Sequence, residues 1–312
     1  MRPSKPETLA TGGSPPGAYD VRVGILWVLV SAITFAMVNV GAKYLALTYD
    51  PGQVVWARFF FQFVIVVVML GPRLLNALAT SIPRLQAARS VAMATCTGLY
   101  FYGLDILPIA TVTAVMFSAP LIVTALSVPL LGEAMGPRRW AAVLVGFGGV
   151  LMIVRPEGDL LRADVLIPLG AALGLAFYHL STRMASRADR AVTTLVYTTL
   201  AGAVFFSLRA PAVWVAPDFQ GWVLLASIGA IGTVGHFALI KALTLAPVSV
   251  VSAFAYSTLV FTAVGGVIVF DEVPDALTVA GSAVMIASGV YIFRRERQLQ
   301  ARPESTNDNA RG

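Results

Sequence analysis

The sequence predicts an all-α integral membrane protein of ten transmembrane helices, built as two inverted five-helix repeats with both termini cytoplasmic. Three observations carry this: a composition poor in charge, ten apolar runs of spanning length, and an internal repeat. Of the 312 residues 57% are hydrophobic and only 12% charged, with a mean hydropathy of +0.79. A soluble domain carries roughly a quarter charged residues, so too few are present here to clothe a water-facing surface. The repeat appears when the chain is slid by 139 positions. Pro108 then falls on Pro247, Ala114 on Ala253, Ser118 on Ser257 and Glu133 on Glu272. A faint copy of one half in the other is the mark of a membrane carrier made of two related units.

Residues 1–20, rich in Pro, Gly, Ser and Thr, read as a disordered tail. The first apolar run is not followed by a small-residue cleavage site and reads as a retained helix. A helix needs about 20 apolar residues to cross a bilayer. Ten runs meet this, at 23–43, 53–71, 88–107, 109–131, 138–155, 163–183, 191–209, 220–240, 248–270 and 275–293. The domains are thus a first repeat over 21–156, a second over 163–293 and a basic tail over 294–312. The third and fourth runs are parted only by the turn at Leu107-Pro108, and the sixth starts beside Asp164.

Charge orients the runs. With the N-terminus inside, 17 of the 22 Lys and Arg residues fall on the inner side. Lys43, Arg155, Arg162 and Arg209 fall outside, and Arg58 lies within a helix. This follows the positive-inside rule and places both ends in the cytoplasm of an inner-membrane protein. The same reading explains the net charge of +6 without a nucleic-acid partner. Five spans per unit is an odd number, so the two units cross in opposite directions. The turn at Gly132-Glu133 then lies inside and that at Asp271-Glu272 outside.

Polar groups inside a span are expensive and are candidates for function. Arg58, shortly inside the second run, is placed to fork onto a carboxylate, or else to snorkel to the interface past Asp50 and Pro51. Lys241 and Lys43 end their helices, as cavity-facing cations or as anchors. Asp105 is a proton site, a partner for Arg58 or an interface carboxylate. Asn39, Ser118, Tyr178, His179, Tyr197, His236, Tyr256 and Ser257 lie nearer the bilayer centre, as cavity lining or as polar glue between helices. Ser118 and Ser257 occupy repeat-equivalent positions. Pro120 and Pro129 in the fourth run free backbone carbonyls for a ligand, a hinge or a plain kink. Gly170 with Gly174, and Gly229, Gly232 and Gly235, mark close helix packing.

Absences narrow the function. The first run has no carboxylate, and the chain has no Walker loop, no HExxH and no nucleophile elbow. Cys96 is the sole cysteine, and two histidines cannot by themselves build a metal centre. No cofactor and no enzymatic activity are expected.

The passage from Pro51 to Arg58, Tyr102-Gly103-Leu104 up to Pro108, and Phe117-Ser118-Ala119-Pro120 together resemble the EamA group of the drug/metabolite transporter superfamily. Leu131-Gly132-Glu133, Trp140 and Gly146-Phe147-Gly148-Gly149 extend the resemblance, which covers about 23–293. It departs from the pattern at Tyr197, which stands where a second-half equivalent of Arg58 would fall. The resemblance implies a secondary transporter of small organic metabolites, similar to members for S-adenosylmethionine, riboflavin and amino acids. On that expectation Arg58 and Lys241 attract an anionic group, Tyr102, Tyr197 and Tyr256 stack on or hydrogen-bond the solute, and Tyr178 is a further candidate binding residue. Asn39, Ser118, His236 and Ser257 orient it. The partners are then a small-molecule metabolite and the lipid bilayer, with a homodimer open. The competing class is an oligomeric channel or lipid-handling protein, whose flux would neither saturate nor show counterflow.

Overall fold

The computed structural model describes residues 21–131, 136–154, 163–185, 188–245 and 254–300, and among these every regular element is helical. The helices are α1 (Val21–Ala46), α2 (Pro51–Leu70), α3 (Pro83–Ile106), α4a (Ile109–Met116), α4b (Ala119–Leu131) and α5 (Pro137–Val154). The second half supplies α6 (Leu166–Ala185), α7 (Ala191–Arg209), α8 (Phe219–Leu245), α9 (Ser257–Phe270) and α10 (Ala276–Gln300). Among the described residues five stretches are long and apolar enough to cross a membrane: Arg22–Ala46, Pro51–Ala77, Ile109–Leu126, Val192–Ala212 and Phe219–Leu239. Shorter apolar helices cover Trp140–Val154, Leu166–Thr182, Ser257–Phe270 and Ala276–Ile292.

Boundaries differ from the sequence expectation in several places. Helix α3 starts at Pro83, because the proline has no N–H to lose at a first helical position. Helix α10 runs through Gln300, past the expected start of the tail at 294. The start of the 248–270 run and the Gly132-Glu133 turn lie outside the described residues. The fourth run, expected as one helix, is broken at Phe117-Ser118. Pro120 contributes, since it lacks an N–H and its ring crowds the carbonyl of Met116. Yet the second half breaks at Tyr256, the repeat equivalent of Phe117, where Leu259 stands in place of Pro120. Proline alone therefore does not explain the interruption.

The helix pairing relates the two halves by exchange. Helix α1 packs on α8 as α6 packs on α3, while α2 pairs with α7 and α5 with α10. At the α5–α10 crossing Gly149 abuts Gly281, and Ser288 Oγ donates to the carbonyl of Ala142. Moving each residue 139 positions into the other half carries the first contact onto the second. The residue numbers rise along one helix and fall along the other, so these equivalent helices run antiparallel. Phe117 and Tyr256, whose rings lie 5.2 Å apart, are each other's equivalents, so the two helix breaks meet on the axis of exchange.

Small residues at these crossings let backbones approach, and close approach gives the dispersion that holds apolar helices together in lipid. A Cβ on Gly281 would come within 2.5 Å of the Gly149 carbonyl oxygen and 2.7 Å of Ile153. Backbone cannot give way there. Gly281→Val is expected to destabilise by about 2 kcal/mol or more, seen as a melting temperature several degrees lower in detergent. A melting temperature equal to the native one would remove this crossing from the packing core.

Candidate functional site

Helix α2 opens at Pro51, with Asp50 accepting from the Gly52 N–H at 2.7 Å as its cap. Two turns in, Arg58 turns toward α3 and is 9% exposed. Its Nη1 donates to Thr97 Oγ1 at 3.5 Å, and the guanidinium lies 5.8 and 5.5 Å from the rings of Phe59 and Phe101. Its Nε has no hydrogen-bond partner, and it makes no ion pair with a described residue. One turn further along the same face, Gln62 lies 3.4 Å from His236 Nδ1 on α8. That nitrogen is also 2.9 Å from the carbonyl oxygen of Gly232. Only a protonated Nδ1 satisfies a carbonyl, so the neutral ring keeps Nε2 as its acceptor. The edge-on ring of Phe35, 5.0 Å away, closes this side.

The polar cluster continues around the bundle. Asn39, one turn beyond Phe35 on α1, donates to Thr262 Oγ1 of α9 at 3.4 Å. Tyr100 on α3 shares a 2.9 Å hydrogen bond with Thr113 of α4a. Ser118, fully buried at the α4 break, has no partner for its Oγ. Six helices thus bring polar side chains inward at the seam between the halves: α1, α2, α3, α4a, α8 and α9.

Of the residues singled out from sequence, the fold brings Asn39, Arg58 and His236 into this cluster, with Ser118 at its α4 edge. It does not gather the others. Tyr102 is 49% exposed on the outer face of α3. Successive helical positions differ by about 100°, so Tyr100 and Phe101 occupy the inner face and Tyr102 cannot. Tyr178 lies under Arg89, its ring 4.8 Å from the guanidinium, and its neighbour His179 is exposed. Tyr197 donates to the Leu78 carbonyl in the α2–α3 connection at 2.9 Å. Lys241 is exposed beside Phe237. Tyr256 packs on Phe117 with its hydroxyl against Gly289. Ser257 Oγ returns to the Phe254 carbonyl at 2.6 Å, unlike its equivalent Ser118. Sequence reasoning missed Gln62, Thr97, Tyr100, Thr113 and Thr262. Gln62 alone carried a signal, its i+4 spacing from Arg58.

Two polar networks flank the cluster. At one end Lys43 Nζ meets Glu272 Oε1 at 2.6 Å and donates to the Leu107 carbonyl at 2.8 Å. Glu272 Oε2 accepts from the Ile109 N–H at 2.8 Å. This carboxylate of the second half therefore caps a helix of the first, where the dipole favours an anion. Asp271, left-handed at φ 55°, turns the chain so that Glu272 can reach.

At the other end Arg89, fully buried, donates to Thr182 Oγ1, Gln86 Oε1 and the Thr194 carbonyl. Gln86 and Thr80 both donate to Asp189 in the α6–α7 connection. Those bonds, Thr80 first and Gln86 second, hold the Asp189 carboxyl below the usual carboxylate range. A depressed folded value means stability that is present above the unfolded value of about 3.9 and is lost as pH falls through the folded one. Asp189→Asn is expected to flatten the acid limb of a melting-temperature profile below about pH 4. An unchanged limb would show that Asp189 contributes nothing there.

An apolar bundle of two related halves, with a buried cation and amides gathered at their seam, is the build of a membrane transporter rather than an enzyme. The chain belongs to the EamA-like transporter family, whose model matches residues 22–155 and 162–294. It is 28% identical to an S-adenosylmethionine uptake transporter of Rickettsia prowazekii, over 88% of this chain and 94% of that one. It is 30% identical to a riboflavin transporter of Vibrio cholerae, over 89% and 95%. It is 25% identical to a pseudopaline exporter of Pseudomonas aeruginosa, over 89% and 98%. A solved crystal structure of 18% identity has the same fold, with a TM-score of 0.61 over 90% of this chain and 98% of that one.

Proposed function

We propose that this protein is a secondary-active transporter that moves a small organic metabolite bearing a carboxylate by alternating access. Its ten spans form two inverted halves in the inner membrane, and both termini are cytoplasmic. The observation that carries the reading is Arg58. A guanidinium sealed among Phe59, Phe101 and Thr97, with an unpartnered Nε and no counter-ion among the described residues, is costly to maintain. An anionic solute group forking onto it turns that cost into affinity and selectivity. Asn39, Gln62 and His236 orient the solute, and Tyr100 and Phe101 give it an aromatic wall. The antiparallel α5–α10 crossing supports inverted halves, and the Lys43–Glu272–Ile109 network supports a closed outer end.

Among solutes named for similar proteins, S-adenosylmethionine presents an α-carboxylate and riboflavin has none. Amino acids share the carboxylate. Proteoliposomes loaded with unlabelled S-adenosylmethionine, methionine or riboflavin and offered the labelled solute outside test the reading. Saturable uptake with counterflow for a carboxylate-bearing solute is expected. Unsaturable flux without counterflow would overturn the carrier in favour of a channel. Tags at the two ends that report from opposite faces would overturn the inverted halves.

A further inference from the structure

We propose that the trough between α5 and α10 binds an anionic phospholipid of the cytoplasmic leaflet, with its headgroup phosphate on Arg138. The trough holds about 460 Å³ and is lined by Ala142, Val145, Val284 and Ala287, with Arg138 and Tyr291 at one end. Its shape follows from the helix crossing. Gly149 and Gly281 bring the backbones together, and alanines leave a furrow where larger side chains would fill it. The polar group in its wall, Ser288 Oγ, is already bonded to the Ala142 carbonyl. The furrow therefore offers nothing to water and suits an acyl chain.

The end of the trough has the opposite character. Arg138 is exposed and makes no hydrogen bond or ion pair with a described residue. Tyr291 is 45% exposed beside it, and Arg294, three residues on, shares the Tyr291 face of α10 and is exposed as well. A cation and a phenol at the mouth of an apolar furrow match a phosphodiester headgroup above a hydrocarbon chain.

Exchange of the halves makes the site one-sided. The equivalents of Arg138 and Tyr291 are Leu277 and Met152, so exchange does not reproduce the arginine and tyrosine at the opposite ends of these two helices. Val145 and Val284 are each other's equivalents and line the end of the trough away from Arg138. The basic end is the one whose flanking segments collect most of the chain's Lys and Arg, which is the side facing anionic lipid in a cytoplasmic leaflet. The choice of leaflet rests on the orientation proposed above; the binding itself does not.

The test compares the full chain in detergent with dioleoyl phosphatidylglycerol and with dioleoyl phosphatidylcholine, by native mass spectrometry. One retained phosphatidylglycerol per chain is expected, with about tenfold weaker retention in Arg138→Gln. Arg22→Gln, an exposed cation outside the trough, is expected to retain it fully, and both variants keep the native melting temperature. Equal retention of the two lipids, or retention indifferent to Arg138→Gln, would overturn the site. A dimer that occupies this face and excludes lipid would overturn it too. Labelling of Arg294→Cys in a Cys96→Ala background by an impermeant reagent from outside would overturn the leaflet, and the proposed orientation with it.

Discussion

Arg58→Gln is expected to lose most uptake at low solute concentration while leaving the folded protein as stable as the native one. A hydrogen bond to a charged group contributes about 1.5–3 kcal/mol, so solute affinity should fall by about tenfold to about a hundredfold. Arg58→Lys keeps the charge and loses the planar fork, and is expected to fall between the two. Stability separates a binding role from a structural one. Arg58 is almost sealed and has no carboxylate partner among the described residues, so its removal relieves desolvation of the empty protein. Arg58→Met is therefore expected to melt at the native temperature or above it, with no shift on adding solute. A variant that melts lower but transports normally would place Arg58 among the packing residues. Thermal shift and counterflow on the same preparations give both numbers.

The second large effect is expected at Glu272. Its carboxylate joins Lys43 of α1 to the start of α4a, so one substitution loosens three elements at once. Glu272→Gln removes the counter-charge of a Lys43 that is 8% exposed and leaves one amide oxygen where Lys43 and the Ile109 N–H each had a carboxylate oxygen. Lys43→Met leaves Glu272 still capping the Ile109 N–H. The asymmetry predicts a larger defect in Glu272→Gln than in Lys43→Met. On the proposed orientation and alternating access, the outer end should open more often, by about tenfold for each 1.4 kcal/mol lost from the closed state. Maleimide labelling of Leu107→Cys in a Cys96→Ala background reads this directly, because Leu107 is buried when the network is closed. Equal labelling rates in Glu272→Gln and the parent would show that the network does not hold the outer end shut. The repeat equivalent of Lys43 is Thr182, which bonds Arg89, so the two ends are not held alike.

Much of this architecture is readable along the chain, for a definite reason. Lipid rewards apolar length and punishes charge regardless of neighbours, so the runs report themselves without reference to packing. Leu131-Gly132-Glu133 and the echo of Glu133 in Glu272 then place the chain in its family and divide it in two. The rotation of each helix is far less legible. A soluble helix shows an apolar stripe that points to its core, whereas here lipid-facing and core-facing sides are both apolar. The stretch Tyr100-Phe101-Tyr102 illustrates this, since nothing local says which ring faces in. Tyr102 matched the family passage, yet α3 turns Tyr100 and Phe101 to the seam.

The break at Phe117 drew attention through Pro120, although the equivalent break at Tyr256 occurs without a proline. The amino-acid order by itself determined that this is a helical membrane protein of two equivalent halves with few internal charges, because those properties depend on composition and repetition. The tertiary structure alone decided which polar groups meet. Arg58 with Thr97, His236 with Gln62, and Glu272 with Lys43 and Ile109 are each far apart in the chain. Their meeting depends on helix rotation and on the antiparallel fit of small residues, and apolar sequence on every side leaves that rotation unspecified.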